Sequence, residues 1–329
     1  MSLTLVEADP DLGFNYPYYL HAPDTTDTGG AVPILVEPTN MPGSTDRFEA
    51  VREEAERRAR GGFGRRVADE LGVPFLHPVF PRPFSEPVDW THYTHSLDVE
   101  TLSLEDGPLA RIDEQLLAMV EHASEQLAER GVAVRDRFAM NGFSASGTFA
   151  NRFAALHPER LLSVTAGGLN GMAILPLAEI AAERLAHPLD LAALTGSDTL
   201  ALPYHTGVAD LEGLTGESFD REAFCAVNQF LYMGVEDTND TLRWPDAWTG
   251  PDVRFAAILA YGGDIHDERF PRCRAIYDEV GASAVFRTYE DTGHDPGPAI
   301  ADVVTFHGRS FAGDPVDEIR PELGGSVPG

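Results

Sequence analysis

The sequence predicts an α/β protein, and three observations carry the prediction. Apolar, β-rich runs at Val32–Val36, Val73–Phe80, Leu161–Ala166, Gln229–Gly234 and Ala284–Tyr289 alternate with stretches of helical periodicity. One further run, Phe138 to Met140, passes through a cluster of small residues directly into an amphipathic helix that Pro158 stops. The candidate reactive side chains follow strands, where open sheets build their sites. At 329 residues the length allows two domains, but one large α/β domain commonly reaches this size. We read one domain over residues 1–312, with a cap-like insertion at about 167–226 and a frayed, Pro/Gly-rich tail at 313–329.

The chain is organised around F-A-M-N-G-F-S-A-S-G-T-F-A-N-R-F-A-A-L-H-P, residues 138–158. Phe149, Phe153 and Leu156 recur at i, i+4 and i+7, one apolar helix face. Strand, small-x-Ser-x-small turn and helix together form the pattern of a nucleophile elbow. A nucleophilic serine has to stand clear of the sheet on a strained turn, so the residues two before and two after it must be small. Gly142 and Ser146 meet that demand around Ser144, and Gly147 lets the helix lie close to the strand. The helix N-terminus adds unpaired N–H groups and the positive end of a dipole, suited to a developing oxyanion. G-x-S-x-S also turns up by chance in Gly- and Ser-rich loops. Its position between a strand and an amphipathic helix favours the chemical reading.

Composition excludes several classes. The formal net charge is −29, and all 24 basic residues are Arg. No basic stripe exists to neutralise phosphates, which disfavours a nucleic-acid partner. Such acidity without Lys resembles the proteins of a salt-accumulating halophile, where salt screens self-repulsion. No apolar run approaches the roughly 18 residues that a membrane span needs. The opening M-S-L-T-L-V-E-A-D-P has neither a basic region nor an apolar core, so no secretory signal is read and a cytoplasmic location is expected. Cys225 and Cys273 have no motif spacing and read as reduced core thiols.

In chain order, Phe14–Ala22 reads as an aromatic strand, followed by a polar turn and the strand Val32–Val36. The loop E-P-T-N-M-P-G-S-T-D leads into a charged helix from about Arg47 to Arg60. His92 and His95 stand three apart in W-T-H-Y-T-H, but no third ligand pattern accompanies them; they read as a surface loop near the cleft, not a metal site. Ile112–Arg130 is a strong helix with Gly131 at its C′ position. Periodicity weakens after Gly167, although L-A-E-I-A-A-E-R-L-A (177–186) reads as helical. That insertion is too long for one crossover and would shape access to the site. Strand Gln229–Gly234 runs into V-E-D, presenting Asp237, and strand Ala284–Tyr289 runs into E-D-T-G-H, presenting His294. A last helix is expected near Pro298–Phe311. His266 lies in an acidic stretch and His307 in that last helix, so only His294 has the post-strand placement of a general base.

On the elbow, the Gly293-His294 pair, and the opening strands Y-Y-L-H-A-P and V-P-I-L-V, the chain resembles the α/β-hydrolase superfamily over about residues 14–312. The opening strands are similar to those of the esterase and polyhydroxyalkanoate-depolymerase-like branches. The resemblance implies an eight-stranded, mostly parallel sheet flanked by helices, a Ser–His–Asp triad and no cofactor. It also implies the chain order serine, acid, histidine, which assigns Ser144 as nucleophile, Asp237 as acid and His294 as base. Asp264, in L-A-Y-G-G-D, competes as the acid, but its preceding R-F-A-A-I-L-A-Y is Ala-rich and suits a helix, whereas F-L-Y-M before Asp237 suits a strand. The oxyanion would be held by the Ala145 N–H and by a donor from Asn40 or Met41. One departure bears on that second donor: Glu37-Pro38-Thr39-Asn40 stands where those branches carry His-Gly.

The function expected is a serine hydrolase cleaving a small-molecule carboxylic ester through an acyl-enzyme. The same triad would serve a peptidase, amidase or acyltransferase. A catalytically silent binding protein on the same fold is the alternative from another class. Neither a nucleic acid nor a membrane is expected as partner, and the sequence leaves the oligomeric state open.

Overall fold

The computed structural model describes residues 3–22, 30–84, 94–187, 189–243, 248 and 250–329. The turn expected at 23–29, His92 and most of W-P-D-A-W-T-G-P fall outside the described residues. The chain enters through β1 (Thr4–Val6) and β2 (Tyr18–His21), an antiparallel pair. β3 (Leu35–Val36) leads to α1 (Phe48–Gly61), which buries Val51, Ala55 and Ala59 at four-residue spacing. Gly62 ends α1, and α2 (Phe63–Leu71) starts at once, a second helix that the sequence reading did not separate. β4 (Phe75–Pro78) and the short α3 (Val99–Ser103) precede α4 (Ile112–Glu129). At the end of α4, Gly131 at φ 80° and the bond from Val132 N–H to the Leu127 carbonyl close the helix as its sequence predicted.

β5 (Phe138–Phe143), α5 (Ala145–Leu156) and β6 (Leu161–Gly167) make the central strand–helix–strand unit. The segment after β6 holds β7 (Glu179–Ala181), α6 (Leu191–Thr195), β8 (Thr199–Ala201), α7 (Leu211–Thr215) and α8 (Arg221–Ala226). β7 and β8 pair as a separate two-stranded sheet. Here the helical reading of 177–186 is corrected: the run is a strand and one 3-10 turn, because Ile180 registers with Leu200 and the Leu202 N–H donates to the Ala178 carbonyl. β9 (Asn228–Gly234), α9 (Pro251–Tyr261), α10 (Phe270–Val280), β10 (Ala284–Tyr289), α11 (Ile300–Ala312) and α12 (Val316–Ile319) complete the chain.

The main sheet has eight strands in the order β1-β2-β4-β3-β5-β6-β9-β10. From β4 to β10 neighbouring strands are parallel, and β1 and β2 are antiparallel additions at one edge. Buried parallel strands read as unbroken apolar runs, as Phe138, Ala139 and Met140 do, all 1% exposed or less. The frayed tail expected at 313–329 is corrected as well. Val316, Ile319 and Leu323 are buried, and Ser326 pairs with Thr288 on the outer side of β10. Among the described residues, no helix is long and apolar enough to cross a membrane.

Candidate active site

β5 delivers Ser144 to the rim of the sheet at φ 62° and ψ −129°, a strained conformation that the surroundings must enforce. The Ser144 N–H donates to the Gly167 carbonyl at 2.8 Å, and its carbonyl accepts the Thr148 N–H at 3.0 Å. The preceding residue is clamped harder. Ser146 Oγ accepts the Phe143 N–H at 3.0 Å and donates to the Phe143 carbonyl at 2.9 Å, and Asn40 Nδ2 donates to that same carbonyl at 2.9 Å. A Cβ on Gly142 would lie 2.2 Å from the Ser146 carbonyl oxygen, so only glycine lets the turn close this tightly.

The loop after β10 carries His294 and the loop after β9 carries Asp237. His294 Nδ1 donates to Asp237 Oδ2 at 2.8 Å. Asp237 is 1% exposed, and its Oδ1 accepts the Asn239 N–H at 2.9 Å. His266 Nε2 holds the Asp237 carbonyl at 2.9 Å. The two loops are packed backbone to backbone: a Cβ on Gly234 would lie 2.1 Å from the Thr292 carbonyl oxygen, which also accepts the Glu236 N–H at 2.8 Å. With its proton on Nδ1, His294 presents a lone pair at Nε2, and Asn239 Nδ2 donates to it at 3.3 Å. The Phe143 ring, 4.7 Å from the imidazole centroid to centroid, backs it from the elbow side.

Ser144, His294, Asn239 and Ala145 line one cleft of about 770 Å³, with Asn40 and Met41 on its wall. Asp237 sits behind His294, off that lining. The structure therefore brings Ser144, His294 and Asp237 to one place. Asp264 is elsewhere engaged: its carboxylate is exposed and accepts the His266 and Asp267 N–H groups at 2.8 and 2.9 Å, which holds its pKa below the ordinary value. Ala145 opens α5 next to Ser144, as an oxyanion donor requires. Of the two candidates on the β3 loop, the Met41 N–H is turned to His95 Nδ1 at 3.2 Å, and the Asn40 amide braces the elbow.

The surface-loop reading is corrected for His95, which is 1% exposed and forms a buried post beneath that loop. Its Nε2 donates to the Phe80 carbonyl at 2.9 Å, and burial pushes its pKa down to about 3, so both ring nitrogens are occupied within the protein. Glu37, where the resembling branches carry His-Gly, is buried under the cleft floor and accepts Asn141 Nδ2 at 2.6 Å. Burial pushes its carboxyl up to about 7, against the lowering effect of the Arg58 charge. Asn141 Oδ1 in turn accepts Thr165 Oγ1 at 2.7 Å, and His307 bonds Thr165 and Ser163 beyond it. Asp113, Glu114 and His157 could by type hold a metal, but Arg111 pairs both acids and His157 Nε2 lies 2.9 Å from Asp113, an ion-pair cluster complete in itself. Asn239 and the bond from His266 to the Asp237 carbonyl escaped the sequence reading, because both act through contacts that only the fold creates.

The chain matches poly(aspartic acid) hydrolase-1 from Sphingomonas sp. KT-1 with a TM-score of 0.51 at 17% identity, over 94% of this chain and 98% of that one. It matches the poly(3-hydroxybutyrate) depolymerase LpqC from Bordetella parapertussis with a TM-score of 0.50 at 17% identity, over 97% and 94% of the respective chains. The fold is that of the α/β-hydrolases. No protein-family model matches the chain, and no curated protein matches it. Within this fold, Ser144 follows the fifth strand in chain order and the loop that carries His294 follows β10, the edge strand of the sheet.

Proposed function

We propose that the protein is a serine hydrolase that cleaves a small-molecule carboxylic ester. The observation that supports this best is the 2.8 Å bond from His294 Nδ1 to a buried Asp237, which leaves Nε2 unprotonated on the cleft that Ser144 borders. Ser144 Oγ attacks the ester carbonyl carbon while His294 Nε2 takes its proton, so the bond from Asn239 has to give way as substrate enters. The tetrahedral oxyanion is held by the Ala145 N–H and by a main-chain donor of the β3 loop. Since the Met41 N–H faces His95, Asn40 is the donor we assign. The C–O bond to the alcohol then breaks, and the imidazolium returns the proton to the leaving oxygen. A water molecule, deprotonated by the same nitrogen, attacks the acyl-enzyme and releases the acid with Ser144 restored.

Residues 168–227 contribute Leu169, Asn170, Met172 and His205 to the cleft wall, and we assign this segment as the cap that selects the acyl group. The acidity belongs to the same proposal: a chain of net charge −29 without Lys is suited to work in concentrated salt, inside the cell. The test is a panel of p-nitrophenyl esters of graded chain length, assayed in molar salt, with fluorophosphonate labelling of the nucleophile. Ser144→Ala should fold normally, take no label and lose about 10⁶-fold in kcat. Near-wild-type turnover in that variant would sink the reading.

A further inference from the structure

Two arginines line the cleft, and they differ in their partners. Arg58 Nε donates to Glu54 Oε1 at 2.8 Å, so its charge is answered within the protein. Arg152 is partly buried on α5, donates from Nη1 to the Ser96 carbonyl at 2.9 Å, and lies over the Tyr204 ring with Cζ 5.7 Å from its centroid. Among the described residues it makes no ion pair. Asp98, which also lines the cleft, is the acid whose charge reaches it without a direct ion pair, and its Oδ1 caps α3 by accepting the Thr101 N–H at 3.0 Å. Burial accordingly lowers the Arg152 pKa from its ordinary value.

The position of Arg152 relative to the nucleophile is set by helix geometry. Ser144, Thr148 and Arg152 stand at i, i+4 and i+8, and all three line the cleft. Eight residues are about 12 Å of helix rise, and helical side chains lean toward the N-terminus, which brings the guanidinium back toward Ser144. A cation withdrawn from water without a directly paired anion is costly, and a bound anion relieves that cost. The guanidinium fork fits a carboxylate in two-point geometry. Elsewhere the net charge of −29 repels anions, so a cation inside the cleft that forms no ion pair is a selective feature of the site.

We propose that Arg152 binds a carboxylate carried by the ester substrate, several bonds from the scissile carbonyl. This rests on the serine-hydrolase reading and narrows its substrate to anionic esters. The carboxylate can sit on either side of the ester, and two pairs of substrates separate the cases. p-Nitrophenyl hydrogen glutarate against p-nitrophenyl butyrate reports the acyl side, and 4-carboxyphenyl butyrate against phenyl butyrate reports the alcohol side.

In Arg152→Gln, which keeps a donor for the Ser96 carbonyl, the anionic-to-neutral ratio of kcat/KM should fall about 10- to 100-fold on one of these pairs, mainly through KM. Arg152→Lys should fall between the two, since it keeps the charge and loses the fork. A melting midpoint close to wild type certifies the fold of each variant. Ratios unmoved on both pairs, with neutral esters still turned over, overturn the role of Arg152 and leave the hydrolase reading standing. If the wild type turns over none of the four esters, calorimetric titration with glutarate decides instead. Binding that Arg152→Gln loses supports the anion site while the hydrolase reading fails, and no binding to the wild type overturns the site.

Discussion

Asp237→Asn changes one functional group and should invert the base. Asp237 Oδ1 accepts the Asn239 N–H at 2.9 Å, and Oδ2 accepts from His294 Nδ1 at 2.8 Å. In the variant only the amide oxygen can accept, and the Asn239 N–H claims it. The NH₂ group is thereby turned toward His294 Nδ1, where a second N–H cannot face it. Nδ1 must give up its proton, Nε2 must carry one, and a protonated Nε2 cannot take the proton of Ser144. A wrong tautomer of this kind lowers kcat by about 10⁴, or about 5.4 kcal/mol of barrier. KM should barely change, because Asp237 is 1% exposed and lies off the cleft lining. The assay is p-nitrophenolate release in molar salt, with a thermal melt to show that the variant folds. Asp264→Asn is the companion: it caps an exposed turn, and its kcat should stay within about twofold of wild type. A crippled Asp264→Asn beside a nearly normal Asp237→Asn would refute the reasoning.

Two further outcomes follow from charge. Raising NaCl or KCl from 0.1 to 1 M shortens the Debye length from about 10 to about 3 Å, so the melting midpoint and activity of a chain of net charge −29 should both rise; a midpoint independent of salt would remove the argument for a salt-rich habitat. Burial raises the Glu37 carboxyl to about 7 from 4.5, so the folded protein holds that proton more tightly than the unfolded chain. Stability from this group is full below pH 4.5 and declines by about 3 kcal/mol as pH rises to 7. Glu37→Gln keeps an oxygen for Asn141 and has no proton to lose. Its midpoint, compared with wild type by calorimetry, should coincide near pH 4.5 and exceed wild type above pH 7, whereas a difference constant across that range would count against Glu37 as the titrating group.

What the sequence made legible is local chemistry. The elbow could be read because strand, small-residue turn and helix are contiguous from Phe138 to Leu156, and β10 could be placed residue for residue because A-V-F-R-T-Y is rich in β-branched and aromatic residues. The contrast between F-L-Y-M and the Ala-rich R-F-A-A-I-L-A-Y separated a strand, β9, from a helix, α9, and with them the surroundings of Asp237 and Asp264. Propensity failed at 177–186, where Ala and Glu sit in a strand because the partner strand β8 supplies the hydrogen bonds. The segment before β9 held a signal that periodicity could not find. D-L-A-A-L-T-G (190–196) and D-L-E-G-L-T-G (210–216) both fold into one five-residue helix that Gly closes at positive φ, with the Thr hydroxyl bonded to the Leu carbonyl four residues back. The contacts of Asn239 and Arg152 carry no local signal, since they reach residues 55 and 56 positions away, His294 and Ser96.

The pairing of Ser326 with Thr288 protects something other than the reaction. β10 is the last strand of the sheet, so one side of it presents backbone groups that another chain could adopt as a template. The Ser326 N–H and carbonyl take up the Thr288 carbonyl and N–H, both at 2.8 Å, while the Arg320 carbonyl accepts Arg287 Nη2. Such a stopper matters most in concentrated salt, where the repulsion that keeps acidic molecules apart is screened away. A copy whose tail had peeled back would keep its elbow and its cleft and still offer β10 to a neighbour. Ser326 thus covers the open edge of β10 at Thr288, at the same C-terminal end of the strand that leads on to His294.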